Sequence, residues 1–243
     1  MATQDGPKYP GIEDGLVFCF DPKNRDCWAG GVGANVLYNP VNTAISGSTE
    51  GFDTDETASA LTTEGYFLFD GSDDFCSFGD VLDTSNTDAF SISFWMKPTG
   101  VSGWPAMVSK MKKYGESPFN GWNISRNTNK IYFGIRGTSD AEIYAQSSAT
   151  LSAGNWFYIV GTYNGNEANT GIKIYVNGSL DTPTQSGTIG GTVSNNAVFS
   201  IASRNGLDMM FDGGISSLLK YNRALSAAEV LTNYNRLKGR FGL

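Results

Sequence analysis

Met210-Phe-Asp-Gly-Gly-Ile-Ser-Ser-Leu-Leu-Lys-Tyr-Asn-Arg-Ala-Leu-Ser-Ala-Ala-Glu-Val-Leu231 passes from a strand-like run straight into a capped helix. Ser226 and Glu229 have the S-x-x-E spacing of a capping box, in which each side chain satisfies an unpaired N–H at the helix start. Val230, Leu231, Tyr234 and Leu237 recur with helical period, which predicts one buried face. Gly239 stands where a glycine is expected to end the helix. The rest of the chain reads as strand and loop, so this helix has only sheet to pack on.

Working back from there, the strand signals come quickly from residue 66 onward. Phe90, Ile92, Phe94 and Met96 alternate with Ser91, Ser93 and Trp95, the period of a strand with two distinct faces. Trp156–Tyr163 and Gly171–Val176 follow, and Asn177-Gly178 is the best hairpin turn, because both residue types tolerate positive φ. Shorter runs lie at 16–20, 66–69, 75–78, 106–110, 121–125, 130–136, 142–146 and 198–202. Many short strands with frequent turn signals predict a sandwich. Residues 22–65 are polar and rich in Gly, Asn, Thr and Ser, and read as a long contact-making loop excursion. Residues 1–13 read as an N-terminal arm, docked on this domain or on a neighbouring chain. Residues 14–243 read as one domain.

Composition narrows the function classes. The 243-residue chain is 40% hydrophobic and 17% charged, with net charge −7, which argues against the cationic footprint of a nucleic-acid binder. Lys110, Lys112 and Lys113 are the one small basic group, read as a solvated loop between strands. The absence of histidine removes the usual base of Ser and Cys nucleophiles and the commonest transition-metal ligand. Cys19, Cys27 and Cys76 are odd in number and form no C-x-x-C pair, so a disulfide framework is not indicated. Cys19 and Cys76 lie in strand runs, whereas Cys27 lies in a loop that could expose it. The start of the chain lacks the basic and apolar regions of a signal peptide, and no apolar run approaches membrane-spanning length. A glycosidase would need two carboxylates projecting from one strand face. Asp53 and Asp55 have the spacing but lie in a loop, and Asp73 and Asp74 would point to opposite faces. The expectation is a non-enzymatic protein.

Five segments together resemble laminin-G-like domains of the concanavalin A-like jelly-roll superfamily. They are Asp14-Gly-Leu-Val-Phe-Cys-Phe-Asp21, Phe69-Asp-Gly-Ser-Asp-Asp-Phe75, Phe90-Ser-Ile-Ser-Phe-Trp-Met-Lys-Pro98, Trp156–Tyr163 with Ile172–Gly178, and the closing strand–helix. The resemblance implies an all-β fold, a two-sheet antiparallel jelly-roll sandwich with one C-terminal helix. Tyr234–Leu243 is most similar to versions in virion proteins of tailed bacteriophages.

The same resemblance points to sites. Asp70, Asp73, Asp74 and Asp212 sit in motifs where many such domains hold calcium, an ion that takes about six to eight oxygen ligands. The frequent acidic pair of the last strand is replaced by Ser216 and Ser217, and Asx-type turns explain the aspartates equally simply. No other cofactor is implied. Trp104, Tyr114 and Trp122 are candidates for a glycan platform, since aromatic faces stack on sugar rings, with Trp28 in a similar loop-like setting. The competing reading is that these rings cover the core or contact subunits.

The resemblance therefore implies a structural protein on the surface of a tailed-phage virion, made in the host bacterial cytoplasm without a signal peptide. The first reading is a capsid decoration or cement protein, an oligomer in the particle, with major capsid or tail subunits as partners. The alternative is a tail-fibre or baseplate adhesin that recognises host-surface glycan, although the chain carries no heptads and no repeat. A free carbohydrate-binding lectin-like module is the third reading. Nucleic acid and membrane are not expected partners.

Overall fold

Alternation along the chain builds two antiparallel sheets that share one apolar interior. The computed structural model describes residues 9–28, 35–52 and 65–243. Among them the strands are β1 (Leu16–Phe20), β2 (Val36–Tyr38), β3 (Ser46–Glu50), β4 (Phe67–Asp70), β5 (Phe75–Ser77), β6 (Phe90–Pro98), β7 (Ala106–Met111) and β8 (Gly121–Asn127). They continue as β9 (Lys130–Arg136), β10 (Glu142–Gln146), β11 (Phe157–Tyr163), β12 (Ile172–Val176), β13 (Ser179–Leu180), β14 (Thr184–Gly187), β15 (Ser200–Ile201) and β16 (Asp212–Tyr221), before helix α1 (Ala227–Leu237). One sheet runs β1-β16-β6-β11-β12-β13, with β4 added to β16; the other runs β14-β10-β9-β8-β7-β15-β5-β3-β2. This is the expected jelly-roll sandwich with a C-terminal helix.

β6 shows how alternation decides the layers. Phe90 turns inward to Trp122 and Phe133, with ring centroids 5.3 and 5.8 Å away. Trp95 faces the opposite way and stacks on Phe241 at 4.3 Å and Tyr234 at 5.7 Å. The helix and the short 3₁₀ turn Lys238–Phe241 thus cover the outer face of the first sheet. Asn177 and Gly178 take φ of 50° and 80°, the hairpin geometry their sequence predicts.

The helix face differs from the expected one. Val230 and Asn233 are buried and Tyr234 and Leu237 are partly buried, whereas Leu231 is 47% exposed. The buried set 230, 233, 234, 237 follows the helical period, and Leu231 falls beside it. Asn233 holds its core position because Nδ2 donates to the Tyr221 hydroxyl (3.0 Å) and Oδ1 accepts from Ile12 N (2.8 Å). Gly239 does not end the helix. The chain tightens into the 3₁₀ turn, and Gly242, at φ 75°, takes the left-handed position.

Three more expectations change. Residues 22–65 are not wholly loop: β2 and β3 extend the nine-stranded sheet from β5. Lys110 is not solvated; it is buried in β7, and its ammonium meets Asp80, Asp83 (3.2 Å) and the Ala197 carbonyl. Cys27 is buried like Cys19 and Cys76, with its thiol 3.7 Å from the Cys19 carbonyl. The described part of the arm docks on its own chain: the Tyr9 hydroxyl donates to Pro40 O (3.0 Å) and Arg236 donates to Gly11 O. Residues 1–8 and the Asp53–Glu56 segment lie outside the described residues.

The capping box forms as its spacing predicts, and Glu229 also receives a two-pronged contact from Arg223 at 2.7 and 3.0 Å. Arg223 first, then the Ser226 donors, hold the Glu229 carboxyl down at about 2 against the opposing effect of burial. A carboxyl depressed on folding contributes stability above its unfolded pKa of about 4.3 and loses it as pH falls through the folded value. Glu229→Gln is therefore expected to destabilise the protein by about 1 kcal/mol at pH 7, a typical capping effect. The gap between variant and parent should shrink between about pH 4.3 and pH 2. Urea melts across that range check it, and a gap independent of pH would refute the ionic contribution.

Candidate functional site

Where β4 meets the first residues of β16, Asp70 and Asp212 are direct cross-strand partners. Gly71 follows Asp70 at φ 78°, and a Cβ there would lie 2.8 Å from the Asp212 Cβ, so only glycine lets the two segments approach this closely. These residues form one wall of a cavity of about 350 Å³ at a rim of the sandwich. The other walls are Gly100, Ser102, Gly103, Trp104 and Pro105 from the loop after β6, Arg126 at the end of β8, and Met209 and Met210.

Trp104 is 46% exposed, yet its ring is fixed. Nε1 donates to Asn127 Oδ1 at 2.8 Å, and Tyr132 buttresses the ring at 5.0 Å. Arg126 is buried and donates to the carbonyls of Gly100 and Ser102, the latter at 3.0 Å, which ties down the loop carrying Trp104. Its Nε makes no hydrogen bond among the described residues. Burial lowers the pKa of this guanidinium and Asp212 acts in the opposite sense. Arginine stays charged regardless. The cavity thus combines a preset aromatic ring with a cation and two carboxylates.

Asp70, Asp73 and Asp74 place carboxylate oxygens within 4.8 Å of one another. Local turns already use several of them. Asp70 Oδ1 accepts from Ser72 N (2.7 Å) and Asp73 N (3.4 Å), and Asp74 Oδ2 accepts from Asp70 N (3.0 Å). Burial acts against ionisation of Asp70, but these amide donors hold its pKa below the ordinary carboxylate value. Asp212 stands outside the three-carboxylate group. Ser216 and Ser217 turn to Gly65 O and Asp21, both 2.9 Å away. This donor set falls short of a calcium shell made by side chains, and Asx turns account for its geometry.

The three aromatic candidates separate. Trp104 lines the rim cavity. Trp122 is fully buried against Phe90 and Phe199, so it is removed from the platform. It shares strand parity with Ile124, and that pattern was readable in the sequence. Tyr114 is 79% exposed but lines a different cavity, with Phe119 and Arg136. Trp104 lies at the Asn127 end of β8 and Phe119 near its Gly121 end, a separation of roughly 20 Å at about 3.3 Å per residue. Trp28 is buried against Phe67. Arg126 was missed, because its strand parity reads as core and only its position at a strand end brings it to the rim.

A two-sheet antiparallel jelly roll with a loop-built cavity at its rim defines a class of domain rather than one activity. Residues 70–231 match the laminin-G-type family model described as the concanavalin A-like lectin/glucanases superfamily, and the chain belongs to that superfamily. Among solved structures it is similar to the binding domain of Paraclostridial mosquitocidal protein 1 (TM-score 0.65, 15% identity, 91% of this chain and 52% of that one). It is also similar to the botulinum neurotoxin serotype D binding domain (0.64, 15%, 92% and 52%). The receptor binding domain of the botulinum neurotoxin C/D mosaic serotype gives 0.65, 15%, 92% and 52%. The chain spans about half the length of these solved domains, and at this identity the likeness is one of fold. A search of curated proteins found no match. Among the described residues, no helix is long and apolar enough to cross a membrane.

Proposed function

We propose that the chain is a non-catalytic receptor-binding module that holds a glycan in the rim cavity of Asp70, Trp104, Arg126 and Asp212. The observation that carries this reading is the half-exposed Trp104 ring, locked by Asn127 and Tyr132 beside charged groups suited to sugar hydroxyls. A fixed aromatic loses little freedom on binding, and its face stacks on the apolar face of a pyranose. Superfamily membership and the likeness to domains named for binding support it. The lowered pKa of Asp70 suits a hydrogen-bond acceptor rather than the proton donor a glycosidase requires. Calcium is not needed for this role.

The setting we propose is a tailed-phage particle, with the module acting as a tail adhesin in preference to a shell cement. The cement reading has the arm and the 22–65 excursion contacting neighbouring subunits, and against the arm's share in it Tyr9 and Ile12 bond to their own chain. A glycan array followed by calorimetry tests the site. Trp104→Ala is expected to weaken the best ligand roughly tenfold, the loss of an aromatic contact of about 1.4 kcal/mol, and chelator should leave binding intact. An array without signal, or a Trp104→Ala variant that binds like the parent, would sink the reading. Immunogold label at tail tips rather than over heads tests the setting.

A further inference from the structure

One end of the sandwich holds two buried lysines that come from opposite sheets. Lys110 in β7 is matched by Asp80, Asp83 and a carbonyl. Lys220 in β16 is different. Its cross-strand neighbours are Phe18 and Ile92, both core residues, so its position is one that alternation reserves for an apolar side chain. It is 4% exposed, and its Nζ lies 5.5 Å from the centre of the Phe90 ring. It lines a cavity of about 410 Å³ with Asp83, Thr84, Asp88, Phe90 and Asn222.

Among the described residues, no carboxylate lies within salt-bridge distance of Lys220. The two acids that share its cavity are engaged elsewhere: Asp83 meets Lys110 at 3.2 Å, and Asp88 accepts from Ser85 N at 2.7 Å. The neighbours of Lys220 from β1 and β6 are the apolar Phe18, Phe90 and Ile92, and among the described residues Asp88 and Asp83 are the charged groups that act on it. Burial pulls its pKa down to about 8, with Asp88 and Asp83 opposing. At pH 7.4 roughly a fifth of such an amine is neutral, against about one in a thousand for an ordinary lysine. A desolvated lysine in a cavity is the usual form of an imine-forming amine.

We propose that Lys220 is a modification site, an amine that captures small neutral aldehydes as imines inside this cavity. The ammonium first releases a proton to solvent. The nitrogen lone pair then forms a C–N bond to the carbonyl carbon, whose oxygen takes up protons and leaves as water, closing the C=N bond without any redox change. The protonated imine keeps the positive charge that Asp83 and Asp88 face. Carbamate formation from carbon dioxide would reverse that charge, and an anionic aldehyde would add a third negative group to Asp83 and Asp88, so the neutral class is the one the cavity accepts.

The test is trace labelling of the intact protein with propionaldehyde and cyanoborohydride at pH 7.4, followed by peptide mapping. Lys220 should be alkylated about tenfold or more faster than exposed Lys173. Its rate should level off above about pH 8, while that of Lys173 keeps rising towards pH 10. Glyoxylate, an anionic aldehyde, should label Lys220 far more slowly than propionaldehyde. Lys220 reacting no faster than Lys173, or a pH profile matching that of Lys173, would overturn the proposal. Equal labelling by the two aldehydes would overturn its choice of ligand class.

Discussion

Val230→Asp abolishes the folded state, while Leu231→Asp, one position along, leaves it standing. Val230 is fully buried beneath the helix, and an aspartate there would place a carboxylate in an apolar site without a partner. The cost is expected to exceed about 4 kcal/mol, a large share of the ~5–15 kcal/mol that holds a typical domain together. Leu231 is half in solvent beside the Asn177-Gly178 turn, so a charge at that position stays hydrated. Its change should stay within about 1 kcal/mol. Urea titration of soluble protein, with circular dichroism as readout, ranks the two. The opposite ranking would mean that the helix is rotated on the sheet, with Leu231 rather than Asn233 against Tyr221.

The pair also shows how far helical patterning can be read. Capping spacing and apolar period located the helix and three of its four inward positions. The fourth was hidden because Asn233 looks like a surface residue until Tyr221 in the preceding strand and Ile12, far away in sequence, supply its hydrogen bonds. Lys110 and Lys220 were hidden for a related reason. A lysine in a strand run reads as an outward or terminal residue, and only the meeting of two sheets shows that both point inward. β3 was lost in a polar stretch because Ser46–Glu50 carries no large apolar side chain, and β2 because Val36–Tyr38 is only 3 residues long with one buried side chain, Leu37.

At the candidate site the individual residues were legible but their union was not. Asp70, Trp104 and Asp212 were singled out from separate motifs, and nothing in their spacing indicates a shared cavity. The fold brings them together because β4 and the loop after β6 end at the same rim as the first residues of β16. Trp122 and Tyr114 join the same group because, like Trp104, they read as aromatics in loop-like or edge positions. Strand parity sends one into the core, and the length of β8 carries the other to the opposite end.

The second large effect is expected at Arg240, close to the C-terminus. Its guanidinium forks onto Asp21 at 2.7 and 2.9 Å and also reaches Ser216 Oγ (3.0 Å) and Gly65 O. Ser217 Oγ donates to the same aspartate at 2.9 Å. Both charges are largely buried, so this network joins the residue after β1, a bulge in β16 and the last turn of the chain. Arg240→Ala should cost about 3 kcal/mol, lowering Tm by roughly 10 °C, chiefly because Asp21 is left buried without its cation. Asp21→Asn should cost a similar amount by stranding Arg240. The double variant should cost clearly less than the sum, since each change relieves the charge that the other orphans. Additive losses in a urea double-mutant cycle would instead mean that the two groups act independently. The network also explains the serines that replace the acidic pair of related domains. A carboxylate at 216 or 217 would repel Asp21, whereas the Ser217 hydroxyl donates to Asp21 and the Ser216 hydroxyl accepts from Arg240 while donating to Gly65 O.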